Sequence, residues 1–409
     1  MIWLVVILGL VLLVFVHELG HFSVALLVGI RPRSFYIGFP PAVAKVRRNG
    51  IEYGIGAIPL GGLVRIPGMH RPAGRDLEAF MGPALREQPS LAPAVQRVRR
   101  ALDADDLAGA RAGLPELRQA VAAVDLSRSA ERSTERALRE VEEGTGEDAY
   151  WHQPTWKRIA VISAGPAANI LVAFLIFFAV YTTGAPSSTP SNEVAAVSAG
   201  TPAAAAGLRA GDRVVAVDGR ASATFDEISH RIRASDGRLI TLTVERGGDR
   251  ITLGPRRTIF SGGHWIWGFE PAARLVAYPP GHSLRLAASD CWQVISGTAT
   301  AFASLFGGHQ RGQLTSTVGI VRISAAALKV SFSWYLEIVA FVSMSLALLN
   351  LLPLLPLDGG HILFSLIEAV RRRALAREVY ERVSVFGFAL ILLIWVIALS
   401  NDVSSSAPR

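Results

Sequence analysis

The sequence predicts an α-helical membrane protein with about four transmembrane helices, a membrane-associated β-hairpin and one small α+β domain outside the membrane. Hydrophobic residues make up 51% of the 409-residue chain, and the mean hydropathy is +0.36. These residues are concentrated in blocks of about 20 residues, the length that crosses a bilayer. One segment between the second and third blocks instead has the short β-branched runs and glycine turns of a β-rich domain.

The charge and the cysteine content narrow the class of protein further. A net charge of +8 would favour nucleic acid as a partner in a soluble protein. Here many basic residues flank the apolar blocks, as is typical of cytoplasmic loops, and no aromatic and basic motif for nucleic acid occurs. We therefore expect no nucleic acid partner. Cys291 is the only cysteine, so the chain can form no internal disulfide.

Four apolar segments are predicted to span the membrane. The first lacks the basic start and the small-residue cleavage site of a signal peptide, so we expect it to be retained as a helix. The first and third segments contain polar groups, whereas the second and fourth are almost wholly apolar. The predicted spans are about 2–30, 158–181, 334–357 and 384–400.

Basic residues beside the spans predict their orientation. They lie after the first span, before the second, and between the third and fourth. With four spans these positions share one side of the membrane, which is then the cytoplasmic side. Both termini and the segment 182–333 would lie outside. The basic residues are Arg31, Arg33, Lys45, Arg47, Arg48, Lys157, Arg158, Arg371, Arg372, Arg373 and Arg377.

Two different segments separate the first and second spans. Residues 51–66 combine β-branched residues with glycines, which predicts a hairpin, and its apolar faces suggest that it lies against the membrane or the bundle of spans. Residues 75–148 are rich in Ala, Arg, Glu and Leu, and two stretches within them have the period of exposed amphipathic helices. We favour a solvated helical pair with a structural role over a regulatory docking module.

A compact domain is predicted after the second span and a Ser- and Pro-rich linker. Its elements are a strand at 194–197, a short helix within 200–212, a strand at 213–219, a helix at 225–233 and a hairpin at 239–253. The phrase A-G-L-R-A-G-D-R-V-V-A-V-D-G at 206–219 resembles PDZ domains of bacterial proteases. Such domains take an extended peptide as an added strand. An apolar run at 283–306 then predicts a membrane-surface helix, followed by a loop to the third span.

The first span contains the motif V-H-E-L-G-H, Val16–His21. On a helix, His17 and His21 lie on one face, where both imidazoles can reach one metal ion. Glu18 lies beside the first ligand, where it can act on water rather than bind the metal. In a soluble helix this pattern could arise by chance. Inside a membrane span each ionisable group costs about 2.5–3.5 kcal/mol, so three groups at metal-ligand spacing indicate a metal site.

A catalytic zinc site commonly has three protein ligands, so a third is expected at membrane depth. Asp358 follows the apolar run of the third span and is the favoured ligand, although an aspartate here could instead cap a turn. His361 is a rival ligand close by, whereas Glu337 lies at the other end of the span. Two histidines and one carboxylate suit zinc.

Taken together, these motifs resemble the site-2 protease family of intramembrane zinc metalloproteases, of the peptidase M50 type. They are H-E-L-G-H at 17–21, G-P-A-A-N at 165–169, the PDZ phrase, and N-x-x-P-x-x-P-x-D-G at 350–359. The resemblance covers roughly 1–70 and 150–400 and is greatest to the bacterial branch that regulates extracytoplasmic sigma factors, here with one PDZ domain. The segment 75–148 is longer than the loop usual in that family.

The resemblance implies roles for individual residues. It implies that His17, His21 and Asp358 hold zinc and that Glu18 activates water. It also implies that a P-L-G-G strand and two asparagines handle the substrate. These residues are Pro59, Leu60, Gly61, Gly62, Asn169 and Asn350.

The resemblance further implies a bacterial cytoplasmic-membrane enzyme that cuts within transmembrane segments after outer domains have been trimmed. Its substrates would be anti-sigma factors or signal-peptide remnants, and its other partners a peptide or substrate tail at the PDZ domain and the lipid bilayer. The predicted order is the first span with the hairpin (1–70), a cytoplasmic helical insertion (71–150), the second span (151–182), the PDZ domain (183–270), a membrane-surface segment (271–333) and the last two spans (334–409).

Two other classes of function are less consistent with the residues. A membrane oxygenase or desaturase with a di-iron centre needs more histidines near the membrane than His17, His21 and His361. A non-catalytic scaffold that recruits tails through the PDZ domain would not need Glu18. Hydrolysis is therefore the predicted activity.

Overall fold

Four long apolar helices run through the computed structural model, which describes residues 2–186, 190–272, 274–305, 317–375 and 377–405. Within the described residues, the helices long and apolar enough to cross a membrane are Ile2–Leu27, Thr155–Thr183, Phe332–Asn350 and Arg377–Ser400. They correspond to the four predicted spans.

The third span is shorter than its apolar sequence suggests. It ends at Asn350 rather than at residue 357, and residues 351–357 form a loop. Pro353 and Pro356 explain the difference, because a proline lacks the N–H that a continuing helix would use. Asp358 then begins a new helix.

All helices and strands are numbered in chain order. The helices are α1 (Ile2–Leu27), α2 (Gly74–Glu87), α3 (Ala92–Asp103), α4 (Leu107–Ala122), α5 (Arg128–Gly144), α6 (Thr155–Thr183), α7 (Pro202–Ala205), α8 (Phe225–Arg233), α9 (Pro280–Leu305), α10 (Thr317–Val330), α11 (Phe332–Asn350), α12 (Asp358–Arg371) and α13 (Arg377–Ser405). The strands are β1 (Ser34–Arg48), β2 (Ile51–Arg65), β3 (Ala185–Pro186), β4 (Val194–Val197), β5 (Arg213–Val217), β6 (Arg220–Ala221), β7 (Leu239–Arg246), β8 (Asp249–Arg257), β9 (Ile259–Ser261), β10 (His264–Ile266), β11 (Phe269–Pro271) and β12 (Leu275–Val276).

The chain forms two compact units. The first comprises Met1–Ala173, Cys291–Arg322 and Phe341–Arg409, and the second comprises Phe174–Asp290 and Ile323–Ala340.

In the first unit, the β structure after α1 is larger than the hairpin predicted at 51–66. Strand β1, which the sequence pattern does not predict, pairs with β2 across a turn at Asn49 and Gly50, both with positive φ. The two prolines in the middle of β1, Pro40 and Pro41, hide its strand pattern, since proline cannot donate a ladder hydrogen bond.

Both long strands fold back, so that their segments form a four-stranded arrangement. Residues 51–55 pair with 44–48 on one side and with 34–37 on the other. Residues 62–65 pair with the free side of 34–37, which makes 62–65 an outer strand. An outer strand has one unpaired edge that can accept a further strand.

Residues 74–144, in the first unit, form four helices instead of the predicted pair. Strongly amphipathic α3 and α5 are the two that the pattern indicates, whereas α2 and α4 contain Pro83 and Pro115, which weaken the helical signal. The four helices share a core of buried side chains. Its largest members are Leu77, Met81, Leu91, Val95, Val98, Leu102, Leu114, Leu117, Leu138 and Val141.

The second unit contains a small β domain whose elements lie where the sequence predicts them. Strand β4 and helix α8 have the predicted bounds, and the main sheet has the order β6-β5-β7-β8. Val214, Ile228, Leu242 and Trp267 are among its buried core residues. The apolar run predicted at 283–306 forms α9 up to Leu305, and residues 306–316 lie outside the described residues. The predicted loop before the third span is wrong for residues 317–330, which form α10.

A buried carboxylate stabilises the turn of this domain at Gly211 and Asp212. Asp212 is 1% exposed and accepts hydrogen bonds from Nε and Nη2 of Arg246 at 2.6 and 2.7 Å, and from the backbone N–H of Arg209 at 2.8 Å. The Arg246 guanidinium holds the pKa of Asp212 below its usual range. The pair therefore stabilises the domain above the pKa of an unfolded aspartate, about 3.9, and loses its effect as the pH falls through the lower folded pKa.

Candidate metal centre

Three side chains from two distant parts of the sequence meet in the first unit. Among the described residues, His17 and His21 of α1 and Asp358 of α12 form the one group of three or more possible metal ligands within 4.8 Å of one another. Oδ2 of Asp358 lies 3.2 Å from Nε2 of His17 and 3.4 Å from Nε2 of His21, and the two nitrogens are 3.3 Å apart. These atoms form a nearly equilateral triangle that one ion can bridge.

The surroundings of this triangle fit zinc. Nδ1 of His21 lies 2.8 Å from the carbonyl oxygen of Val161 in α6. Since a carbonyl only accepts, His21 carries its proton on Nδ1, and the lone pair of Nε2 faces the centre. Oδ2 of Asp358 is buried and has no hydrogen-bond donor. Two imidazole nitrogens and one carboxylate oxygen are a typical zinc donor set with room for a further ligand.

Asn169 lies behind the other histidine. Its side-chain amide is fully buried with Nδ2 3.5 Å from Nδ1 of His17, and its backbone carbonyl accepts the hydroxyl of Ser343 at 2.8 Å. Helix α6 thus reaches both histidines, through a backbone carbonyl at Val161 and a side chain at Asn169. The predicted part of Asn169 in substrate handling stays a prediction.

Glycines allow the close approaches on which the centre depends. A Cβ atom at Gly20 would lie 2.4 Å from the carbonyl oxygen of Ala164, and one at Gly165 would lie 2.3 Å from Nε2 of His21. A Cβ atom at Gly359 would lie 2.2 Å from the carbonyl oxygen of Leu351. Each of the three sequence motifs therefore contains a glycine at a contact too close for any side chain.

Glu18 lies under the outer strand 62–65. A Cβ atom at Gly62 would lie 2.4 Å from the Cγ atom of Glu18, so the backbone of this strand packs directly on its side chain. Glu18 interacts electrostatically with both histidines and with Asp358, yet it is not a member of the ligand group. This is the position of a proton acceptor beside a metal rather than of a ligand.

The remaining candidates lie apart from the triangle. His361 stacks on the ring of Tyr380 with centroids 6.2 Å apart, so among the described residues Asp358, and not His361 or Glu337, joins the two histidines. Asn350 donates its side-chain amide to the carbonyl of Leu346 in its own helix at 2.9 Å. The predicted substrate strand belongs to β2 and includes Gly61 and Gly62, while the side chains of Pro59 and Leu60 lie outside the described residues.

Two contributors to the site were not identified from the sequence. Val161 acts through its backbone carbonyl, which every residue type has, so no sequence signal could reveal it. Arg158 was interpreted only as a marker of the cytoplasmic side, but its side chain is 6% exposed and lies inside the first unit. The sequence offers one signal for the burial of Arg158. This arginine stands at the start of an apolar span, and an acidic residue, Glu368, occurs on a later helix.

Replacing Gly165 by alanine tests the packing of the centre. The added methyl group overlaps the His21 ring, so we expect Gly165→Ala to weaken zinc binding about 10–100-fold, as loss of an outer contact does at other metal sites. Competition with a chromogenic chelator measures this. Gly82→Ala is the matched control, because its Cβ atom would contact only the flexible end of Arg86 at 3.6 Å. Equal zinc affinity in the two variants would contradict the geometry.

Comparison with known proteins identifies the family of this chain. The chain matches the sequence profile of peptidase family M50 over residues 5–394. It is similar to zinc metalloprotease RasP of Geobacillus kaustophilus, with 30% identity over 96% of this chain and 95% of RasP, and to metalloprotease MmpA of Caulobacter vibrioides, with 28% identity over 95% of this chain and 92% of MmpA. The chain therefore belongs to peptidase family M50, the site-2 protease family of zinc metalloproteases.

Proposed function

We propose that this protein hydrolyses peptide bonds within the transmembrane segments of single-span proteins. The observation that carries the proposal is that Asp358 meets His17 and His21 beside Glu18, where the latter three lie on α1, a helix long and apolar enough to cross a membrane. Ionisable groups are costly at membrane depth, and a metal centre for hydrolysis gives these four a common purpose. The membership of a zinc metalloprotease family supports the same activity.

The four residues divide the work between binding and proton transfer. His17 and His21 would hold a zinc ion through Nε2, and Asp358 would hold it through a carboxylate oxygen. The ion would supply Lewis acidity that polarises the scissile carbonyl and makes water more nucleophilic. Glu18 takes the proton of the attacking water and delivers it to the nitrogen of the leaving amine.

Glu18→Gln is the decisive variant for the activity. Glutamine keeps the shape of the side chain but cannot take the proton, so cleavage should fall by at least about 100-fold while zinc stays bound. Quantitative proteomics of membranes should then show single-span fragments that accumulate relative to cells with the native chain.

The matched control is Glu135→Gln on the exposed face of α5, which should change neither the fragments nor the zinc content. Identical membrane proteomes for the native chain and Glu18→Gln would contradict the proposed protease function.

A transmembrane substrate must first expose its peptide bonds. Its helix hides them in hydrogen bonds, and each backbone group freed in lipid costs several kcal/mol. Among the described residues nothing pairs with the outer edge of strand 62–65, which lies directly over Glu18. We propose that an unwound substrate segment pairs with this strand and its P-L-G-G start, as peptides pair with other open sheet edges. Pairing replaces the lost hydrogen bonds and brings the extended backbone to the catalytic base.

N-methylation of a model substrate tests this pairing. An extended strand offers every second N–H to one neighbour. Methyl groups placed singly at successive residues beside the scissile bond should therefore reduce kcat/KM with a period of two, by about 5–10-fold at each affected position. An unmethylated peptide of the same sequence is the reference. A uniform loss, or none, would contradict strand pairing.

The small β domain is proposed to act as a PDZ-type filter on substrates. Its phrase 206–219 resembles PDZ domains, and its order of strands and helices follows the same prediction. By the positive-inside rule, this domain would lie outside and the end of α1 near the cytoplasm. We propose that the domain excludes substrates with bulky outer domains, so that anti-sigma factors or signal-peptide remnants are cut in the bacterial cytoplasmic membrane only after trimming.

Deletion of residues 190–270 tests the filter. Cleavage of an untrimmed single-span substrate should increase at least about fivefold, because nothing then excludes its outer domain, and cleavage of the trimmed form should stay constant. Immunoblotting of both forms in the same membranes provides the comparison. Unchanged selectivity between the two forms would contradict the filter and leave the active-site proposal intact.

A further inference from the structure

A buried ion pair joins the second span to the helix that carries Asp358. Nη2 of Arg158 in α6 lies 2.6 Å from Oε2 of Glu368 and 3.0 Å from Oγ of Ser365, both in α12. All three residues are buried. Removing two charges from water is costly, so such a pair persists only where geometry and further hydrogen bonds compensate.

The second oxygen of Glu368 is also fully engaged. Oε1 accepts the backbone N–H of Leu375 at 2.7 Å and the hydroxyl of Tyr380 at 3.3 Å. Ser365 lies within 3.5 Å of the hydroxyl of Tyr150, which donates to the carbonyl of Arg158 at 3.3 Å. The pair is therefore the centre of a buried polar network that fixes α12 against α6 and against the start of α13.

Arg158 shares one face of α6 with the residues that touch the metal ligands. Positions 158, 161, 165 and 169 recur at three- or four-residue intervals, so they form a single stripe along the helix. From this stripe, Arg158 holds α12, the Val161 carbonyl holds His21, Gly165 packs on the His21 ring, and Asn169 lies on His17. One helix face thus contacts every element that contributes a candidate ligand.

The rigidity of a helix connects Arg158 with the third ligand. Seven residues separate Asp358 from Ser365, about 10 Å along α12. A shift of α12 at Ser365 and Glu368 is therefore transmitted to Asp358, whereas a zinc–oxygen distance tolerates only about 0.2 Å of error. The glycines after Asp358 pack against the preceding loop but offer no polar side chain that could fix the tilt of the helix.

We propose that Arg158 is a positioning residue for the metal centre, which sets the place of Asp358 relative to His17 and His21 through its contacts with Glu368 and Ser365. The inference rests on the proposed function, in which Asp358 binds zinc. Arg158 itself touches neither metal nor substrate. Its role is to keep Asp358 of α12 at a fixed position relative to the two histidines of α1, which come from the opposite end of the chain.

The test uses the purified full-length protein in detergent and four variants. They are Arg158→Met, Arg158→Lys, the double variant Arg158→Met with Glu368→Met, and Lys157→Met as the neighbouring control. Zinc affinity is measured by chelator competition, ligand geometry by the visible absorption of the Co²⁺-substituted protein, stability by the melting temperature, and catalysis by kcat and KM on a model substrate.

Arg158→Met should weaken zinc binding about 10–100-fold, change the Co²⁺ spectrum, and lower kcat with little change in KM. Arg158→Lys should recover part of each loss, because it keeps the charge but not the forked geometry. Arg158→Met leaves the Glu368 carboxylate buried without its partner, and the double variant removes that carboxylate. The double variant should therefore melt at a higher temperature than Arg158→Met, while its zinc affinity stays low. Lys157→Met should match the native protein throughout.

Two outcomes would overturn the inference. One is a native zinc affinity and Co²⁺ spectrum in Arg158→Met. The other is full recovery of zinc affinity in the double variant, which would show that the pair only avoids an unpaired buried charge. An Asp358→Asn variant tests separately whether Asp358 binds zinc. If its zinc affinity is unchanged, Asp358 is not a ligand, and the proposed metal site fails independently of Arg158.

Discussion

The rest of this structure depends on one constraint: titratable groups buried among apolar helices must be satisfied by one another. His17, His21 and Asp358 would each be costly alone at membrane depth. Brought within hydrogen-bonding distance, two imidazole nitrogens and one carboxylate oxygen face one point. The packing of α1, α6 and α12 follows from this requirement, because the helices must approach closely enough for ligands from both ends of the chain to meet.

The helices can approach this closely because glycine occupies the positions of closest contact. Gly20, Gly165 and Gly359 each face a neighbouring backbone or ring at a distance that a methyl group could not occupy. The same arrangement occurs at Gly62, where the outer strand lies directly on Glu18. Close packing of small residues is a general means of association between helices in lipid, where the hydrophobic effect supplies little force between them.

Much of the active-site unit could be predicted from the sequence, because its chemistry is carried by rare residue types at fixed spacing. In a membrane span, histidines at i and i+4 together with an aspartate after an apolar run point strongly to a metal site. Strand β1 could not be predicted, since Pro40 and Pro41 interrupt its pattern and its residues 34–37 pair with both 51–55 and 62–65. The ion pair of Arg158 could not be predicted for a different reason. Its partner Glu368 is 210 residues away, and only the folded chain brings them together.

The early end of the third span bears on how water reaches the reaction. Backbone outside a helix is tolerated at membrane depth only where protein or water satisfies its polar groups. The N–H groups of Leu351 and Leu352 bond back to α11, and those of Leu354 and Leu357 bond within the loop. Pro353 and Pro356 have no N–H, so the polar backbone groups that they add to the loop are carbonyl oxygens, which only accept hydrogen bonds. The two prolines that shorten the helix therefore place hydrogen-bond acceptors for water, rather than a further turn of helix, immediately before Asp358.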